Sequence, residues 1–292
     1  MGLLDHLRST ISIIVLTANL SFWGIGLVLL GLLKAIVPAS RRWADARLAA
    51  AYRGAVAVND AWLRGVIGLE WDRPETGLGR DEICIVVSNH GCWADILLVQ
   101  SAVTRDGPLL KFLTKRELLY IPVLGVIFWA FDFPLLRRGK RAGVDKAEQR
   151  RLDAEALASA CDVVRSNPAA LMNFAEGTRF TEEKRAKSES PYRHLLPPRV
   201  GGLAALIEAL GDDATSIVDV SLLYPEPASF WHFLSGRSER IGIEVERIPI
   251  DRVPRDRESI STWLAARWQA KDDRIEHARA RAAAAASSAS KG

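Results

Sequence analysis

Val86-Val87-Ser88-Asn89-His90-Gly91-Cys92-Trp93-Ala94-Asp95-Ile96-Leu97-Leu98 is the stretch on which the chain turns. The apolar, β-branched run Ile83 to Val87 reads as a buried strand that Ser88-Asn89 interrupts. His90 then precedes Asp95 by five positions, and the apolar residues from Ala94 onward suit a helix. Strand, turn and helix in that order put a His and an Asp at a strand's carboxyl end, where open α/β sheets carry their sites. A second run, Ala169 to Phe174, reads as a strand that ends in Ala175-Glu176-Gly177-Thr178-Arg179.

Outward from these two turns the pattern stays α/β. Further strands are predicted over 109–114, 217–224 and 241–248, with helices over 94–103, 145–165 and 203–210. The apolar segment 118–136, broken by Pro122, Gly125 and Asp132, reads as a buried or interfacial helix followed by a short strand. The charged stretch 181–193 and the region around Pro225, Pro227 and Trp231 read as loops. Residues 257–284 form a basic, alanine-rich helix, and the low-complexity tail after them reads as disordered.

The first 66 residues differ in kind. Residues 11–37 are apolar apart from scattered Ser and Thr, Asn19 and Lys34, longer than the roughly 20 residues that cross a hydrocarbon core. They either span the bilayer or, given Gly24, Gly26, Gly31 and Pro38, dip into one leaflet as a hairpin. Arg41, Arg42 and Arg47 follow, which by the positive-inside bias sets the remainder on the cytoplasmic side. Residues 43–66 mix Trp43, Tyr52 and Trp62 with Arg47, Arg53 and Arg64, as an interfacial helix or one packed on the body does. Three units result: anchor and interfacial helix 1–66, enzymatic body 67–256, and helix with tail 257–292.

Composition narrows the classes. Of 292 residues 49% are hydrophobic, enough for a large core, and nine are Trp. The formal charge of +4 favours anionic partners, but the arginines lack the interleaved aromatics of a nucleic-acid surface. Cys84, Cys92 and Cys161 show neither CxxC spacing nor an even count, so no disulfide framework or zinc site is expected, and no other metal.

The residue types then suggest chemistry. A neutral imidazole can take a proton from a hydroxyl, and a carboxylate accepting its other N–H fixes the tautomer and stabilises the imidazolium. Asp95 can fold back onto His90 only if the chain turns between them. In Glu176-Gly177-Thr178-Arg179 the Gly admits close backbone approach, the Thr offers a hydroxyl and the Arg a bidentate cation, a set suited to phosphate. Glu176, repelled by phosphate, is expected to hold Arg179 or polar groups of the substrate. Arg137, Arg138 and Lys115 add cations for phosphate or form a solvated basic patch.

Asn89-His90-x4-Asp95 followed by Phe174-x-Glu176-Gly177-Thr178-Arg179 resembles the glycerolipid acyltransferase family, whose best-known members are 1-acylglycerol-3-phosphate and other lysophospholipid acyltransferases. Two further blocks stand where that family has them: Lys115-Arg116-Glu117-Leu118 leading to Arg137-Arg138, and Leu196-Pro197-Pro198-Arg199-Val200-Gly201-Gly202. The likeness spans about residues 80 to 225 and is greatest to the branch with bacterial inner-membrane acyltransferases. It implies an α/β fold, a mixed sheet flanked by helices behind an N-terminal membrane anchor. It implies catalytic His90 and Asp95, and substrate binding by Lys115, Arg137, Arg138, Glu176, Gly177, Thr178 and Arg179. The implied reaction moves an acyl group from acyl-CoA or acyl-carrier protein, as co-substrate, to a lysophospholipid, most simply 1-acylglycerol-3-phosphate. No cofactor and no nucleic acid are involved; membrane lipids are the remaining partner. A catalytically idle protein that binds anionic lipid is the competing reading. Two positions depart from the pattern: Ala175 replaces the usual Pro, and Cys92 stands where Ser is frequent.

Overall fold

The computed structural model describes residues 1–112, 114–115, 120, 135–136, 146–238 and 240–289. At its centre lies β1 (Cys84–Ser88), all five residues buried. A strand covered on both faces must be apolar throughout, which is why Cys84-Ile85-Val86-Val87 shows no alternation. The sheet order is β2-β5-β1-β6-β7, with β2 Leu109–Phe112, β5 Ala169–Phe174, β6 Ser216–Leu223 and β7 Gly242–Pro249. The first four strands run parallel and β7 antiparallel, so the sheet is mixed. A separate two-stranded ribbon joins β3 (Thr114–Lys115) to β4 (Leu135–Leu136), with Lys115 opposite Leu136. Most of the predicted 118–136 segment lies outside the described residues.

One register decides the site. β1 pairs with β5 from Cys84↔Ala170 to Ser88↔Phe174. The residues that follow, Asn89-His90 and Ala175-Glu176, therefore leave the sheet side by side although eighty-odd positions separate them. Asn89 eases this exit by continuing the ladder with its side chain. Its Oδ1 accepts the Leu222 N–H and its Nδ2 donates to the Leu222 carbonyl, both at 2.9 Å.

Each face of the sheet carries its own core. On one, Ile85, Val87, Leu171 and Ile217 pack with Leu157, Leu203, Leu206, Leu264 and Trp268. These come from α4 (Lys146–Ser166), α6 (Val200–Leu210) and α8 (Arg257–Ala289). On the other, Val86, Met172 and Val218 pack with Leu98 and Val99 of α3 (Ala94–Thr104) and Phe233 of α7 (Phe230–Ser235). The basic helix α8 is thus a core element, and it continues through residues read as tail. Its Lys271, wholly buried, and Arg267 pair with Asp219 in β6. Burial alone would raise the Asp219 carboxyl, but the two cations hold it below the ordinary range.

Two segments read as loops are helical instead. α5 (Glu182–Lys187) forms because Thr181 caps it, accepting the Lys184 N–H at 3.2 Å, while Glu182 and Glu183 begin it and Lys184, Arg185 and Lys187 end it. α7 has Ser229 as cap and Gly236, at φ 76°, as its left-handed stop.

At the N-terminus, α1 (Leu3–Ile36) is long and apolar enough to cross a membrane, yet its polar residues Asp5, Ser9, Ser12 and Asn19 face inward. Ser9 and Ser12 donate to the carbonyls of Trp231 and Leu234 in α7, at 2.8 and 2.9 Å. Asn19 donates to Ala55 O and Asn59 Oδ1 of α2 (Arg41–Asp60), both at 2.8 Å. α2 in turn grips the body, Tyr52 donating to Leu110 O at 2.8 Å and Arg53 to the carbonyls of Thr104 and Gly107. What α1 leaves outward is Leu4, Ile14, Phe22, Ile25, Leu29 and Ile36, each at least 60% exposed. The helix is inside-out relative to a soluble one.

Candidate active site

The turn after β1 folds Asp95 back onto His90. Nδ1 of His90 lies 2.7 Å from Asp95 Oδ2, which also accepts the Cys92 N–H at 3.0 Å. The other oxygen, Oδ1, accepts the Tyr224 hydroxyl at 2.6 Å. The Asp95 side chain has no solvent exposure, while that of His90 keeps 13%. A carboxylate at Nδ1 makes that nitrogen the donor and leaves Nε2 as the free lone pair. The imidazole also stacks on Phe174, with centroids 3.9 Å apart and 14° between planes, which restricts its rotation.

Glu176 does something other than expected. It is buried, and it holds backbone rather than Arg179 or a substrate group. Oε1 accepts the His90 N–H at 3.0 Å and Oε2 the Leu196 N–H at 3.1 Å. Burial pushes this carboxyl up to about 8, against the pull of those two N–H donors. The His90 carbonyl meanwhile accepts the Phe180 N–H at 2.7 Å, so both peptide groups of the His are tied to the second turn.

That second turn needs Gly177, whose φ is 70°. A Cβ there would also come within 3.1 Å of Arg199 Cδ. Arg179 is exposed and lies over the half-exposed Trp93 ring, its guanidinium carbon 4.4 Å from the centroid. Lys184 donates to Thr178 Oγ1 at 2.8 Å and to the Arg179 carbonyl at 2.9 Å. Arg179, Lys184 and Arg199 thus surround the glycine turn with cations; the last two were not among the expected site residues. Lys115 is placed by its backbone in β3, whereas Arg137 and Arg138 lie outside the described residues.

Residues 73–223 match the family described as Acyltransferase, and residues 232–278 the one described as Acyltransferase C-terminus. The chain belongs to the acyltransferase family. Among the curated relatives of this acyltransferase-family chain, 1-acyl-sn-glycerol-3-phosphate acyltransferase delta of Homo sapiens is 31% identical over 205 residues, 65% of this chain and 52% of that protein. Lysocardiolipin acyltransferase 1 of Gallus gallus is 28% identical over 255 residues, 82% of this chain and 65% of that protein. The chain therefore spans about half the length of the first relative. The crystal structure of the 1-acyl-sn-glycerophosphate acyltransferase of Thermotoga maritima superposes with a TM-score of 0.58 over 93% of this chain and 94% of that one. At 15% identity that shows a shared fold.

Tyr224 and Phe174 complete the site around His90, and neither was an expected site residue. Phe174 had a position, as the last residue of a predicted strand, but no signal for its role. Tyr224 ends a strand predicted over 217–224, and nothing local ties it to a turn more than a hundred positions away.

Proposed function

We propose that this acyltransferase moves a fatty acyl group from an acyl thioester to the free hydroxyl of a lysophospholipid, with His90 as general base and Asp95 as its orienting carboxylate. The observation that carries this reading is the buried Asp95 carboxylate 2.7 Å from Nδ1 of a partly exposed imidazole. Nε2 takes the acceptor's proton as its oxygen attacks the thioester carbonyl, and later gives that proton to the leaving thiolate. No covalent enzyme intermediate is needed: burial and the nearby Asp95 push the Cys92 thiol up to about 12, far from a working nucleophile. Arg179, with Lys184 and Arg199 beside it, offers the acceptor's phosphate a cationic seat.

The acceptor is most simply 1-acylglycerol-3-phosphate. Likeness to lysocardiolipin acyltransferase 1 over 82% of this chain supports a different lysophospholipid as the alternative acceptor. The donor is acyl-CoA or acyl-carrier protein. Attachment to membrane follows from the outward face of α1. Because α1 is bonded along its polar side to α2 and α7, the helix lies in one leaflet with its apolar side immersed rather than crossing alone. The basic cluster Arg41, Arg42 and Arg47 after α1 favours the cytoplasmic face, which in a bacterial cell is that of the inner membrane.

The test uses the purified full chain in detergent, labelled oleoyl-CoA and a panel of lysophospholipids. Transfer to at least one acceptor, lost in His90→Ala with circular dichroism and liposome binding retained, is the expected result. Near-normal turnover by His90→Ala overturns the mechanism, and lipid binding without thioester consumption returns the idle-binder reading.

A further inference from the structure

Both oxygens of Asp95 are in use, and one is used by a residue just past the end of β6, the strand beside β1. Tyr224 follows β6, is 6% exposed, and gives its only proton to Asp95 Oδ1 at 2.6 Å. Cys92 Sγ stands 3.7 Å from the same hydroxyl. With the phenolic proton committed to Asp95, the thiol is left to donate to the phenol oxygen. Donors therefore converge on Asp95 from two sides: Cys92 through Tyr224 onto Oδ1, and His90 onto Oδ2.

The ring is placed with care for a residue that merely fills space. It passes close to Gly91, where an added Cβ would sit 3.7 Å from Tyr224 Cε2 and 2.8 Å from Ala228 Cβ. Its carbonyl accepts Arg279 Nε of α8 at 3.4 Å. Charged and titratable neighbours of the Asp95–Tyr224 pair are few. His90 and Cys92 come from the β1–α3 turn, and Glu176 from the end of β5. His194 and Arg279 stand across a cavity of ≈ 20 Å³ behind the turn, room for about one water. Burial keeps the phenol and the thiol neutral throughout the working range.

We infer that Tyr224 is a positioning residue that tunes the base: its hydrogen bond weakens Asp95 as an acceptor and so sets the pH at which His90 becomes a free base. The physical reason is competition for one carboxylate. A donor on Oδ1 draws charge from Oδ2, and Oδ2 is what stabilises the imidazolium. Without the phenol, Asp95 holds the imidazolium more strongly, and His90 stays protonated to higher pH.

The inference rests on the acyltransferase reading for its kinetic arm alone, so two readouts on the full chain separate them. In Tyr224→Phe the acidic limb of the kcat–pH profile should move up by about half to one pH unit, part of the roughly one to two units that one charge-assisted hydrogen bond is worth. Turnover should fall severalfold at pH 6 and recover towards the wild-type rate above pH 8, with KM for the acceptor unchanged. The NMR titration of the His90 ring, assigned with His90→Gln, should move up by the same amount whether or not the chain acylates anything. Should Tyr224→Phe fail to fold, Tyr224→3-fluorotyrosine, a stronger donor, should move the titration the other way. A His90 titration that does not move in either variant overturns the inference, as does a pH-independent loss of rate. A chain without transfer activity overturns only the acyltransferase reading, because the ring titration still decides the coupling.

Discussion

Replacing Glu176 by Gln keeps shape and removes one acceptor. The carboxyl serves two backbone N–H groups, those of His90 and Leu196, at 3.0 and 3.1 Å. An amide has one oxygen, so one of the two N–H groups must face an NH₂ donor inside a buried site. A buried backbone donor left unpaired costs about 1–3 kcal/mol, or roughly 2–5 °C in Tm for a chain of this size. The pH dependence is the sharper part. Burial raises the folded-state carboxyl from 4.5 to about 8, so its favourable contribution is complete below pH 4.5 and is lost as pH rises through 8. Above that range the wild type carries an ionisation penalty of at most ~5 kcal/mol that the amide escapes. Glu176→Gln should therefore be clearly less stable at pH 5, and its deficit should shrink or reverse by pH 9. Tryptophan fluorescence melts of both proteins in one detergent across that range provide the measurement. Acyl transfer at pH 7 should fall about tenfold or more, because the peptide carrying His90 is freed. A deficit that stays constant or grows between pH 5 and 9 refutes the assignment of a raised, backbone-holding carboxyl.

Two further outcomes follow from elements outside the site. Lys271→Met strips Asp219 of a buried partner and should cost about 3–5 kcal/mol in denaturant unfolding, though the residue lies on a helix whose sequence looks like a solvated surface. Phe22→Glu, at a position 70% exposed on the outward face of α1, should weaken flotation with anionic liposomes without lowering Tm.

The α/β core was legible because strands covered on both faces are written as unbroken apolar runs. Ile83 to Val87 and Ala169 to Phe174 could be read so, and their boundaries in the structure differ by a residue at most. The His90–Asp95 contact was legible too, since a turn entering a helix can fold the carboxylate back onto the ring. What could not be read is what depends on register. Glu176 reaches His90 because Ser88 stands opposite Phe174, a fact of strand pairing with no local trace. Tyr224 reaches Asp95 for the same reason, through β6. α5 and α7 were missed although Thr181 and Ser229 carried cap signals, because charge and proline content outweighed them.

The architecture also explains how a site that must meet a lipid can stay rigid. Phe112, at the end of β2, packs on the cluster that joins α1 to α2 around Leu27, Leu48 and Tyr52. It stands 6.3 Å from Phe174, centroid to centroid, and Phe174 stacks on His90. An apolar succession therefore leads from the helix with the outward apolar face to the imidazole without passing through a polar loop. On the opposite side, polar groups hold the same imidazole: Glu176 grips its peptide and Asp95 its Nδ1. On the proposed reading, the apolar side of the imidazole is where the acyl portion of an amphipathic substrate would lie. On the same reading, the exposed Arg179, beside Trp93, is the seat for the substrate's charged end.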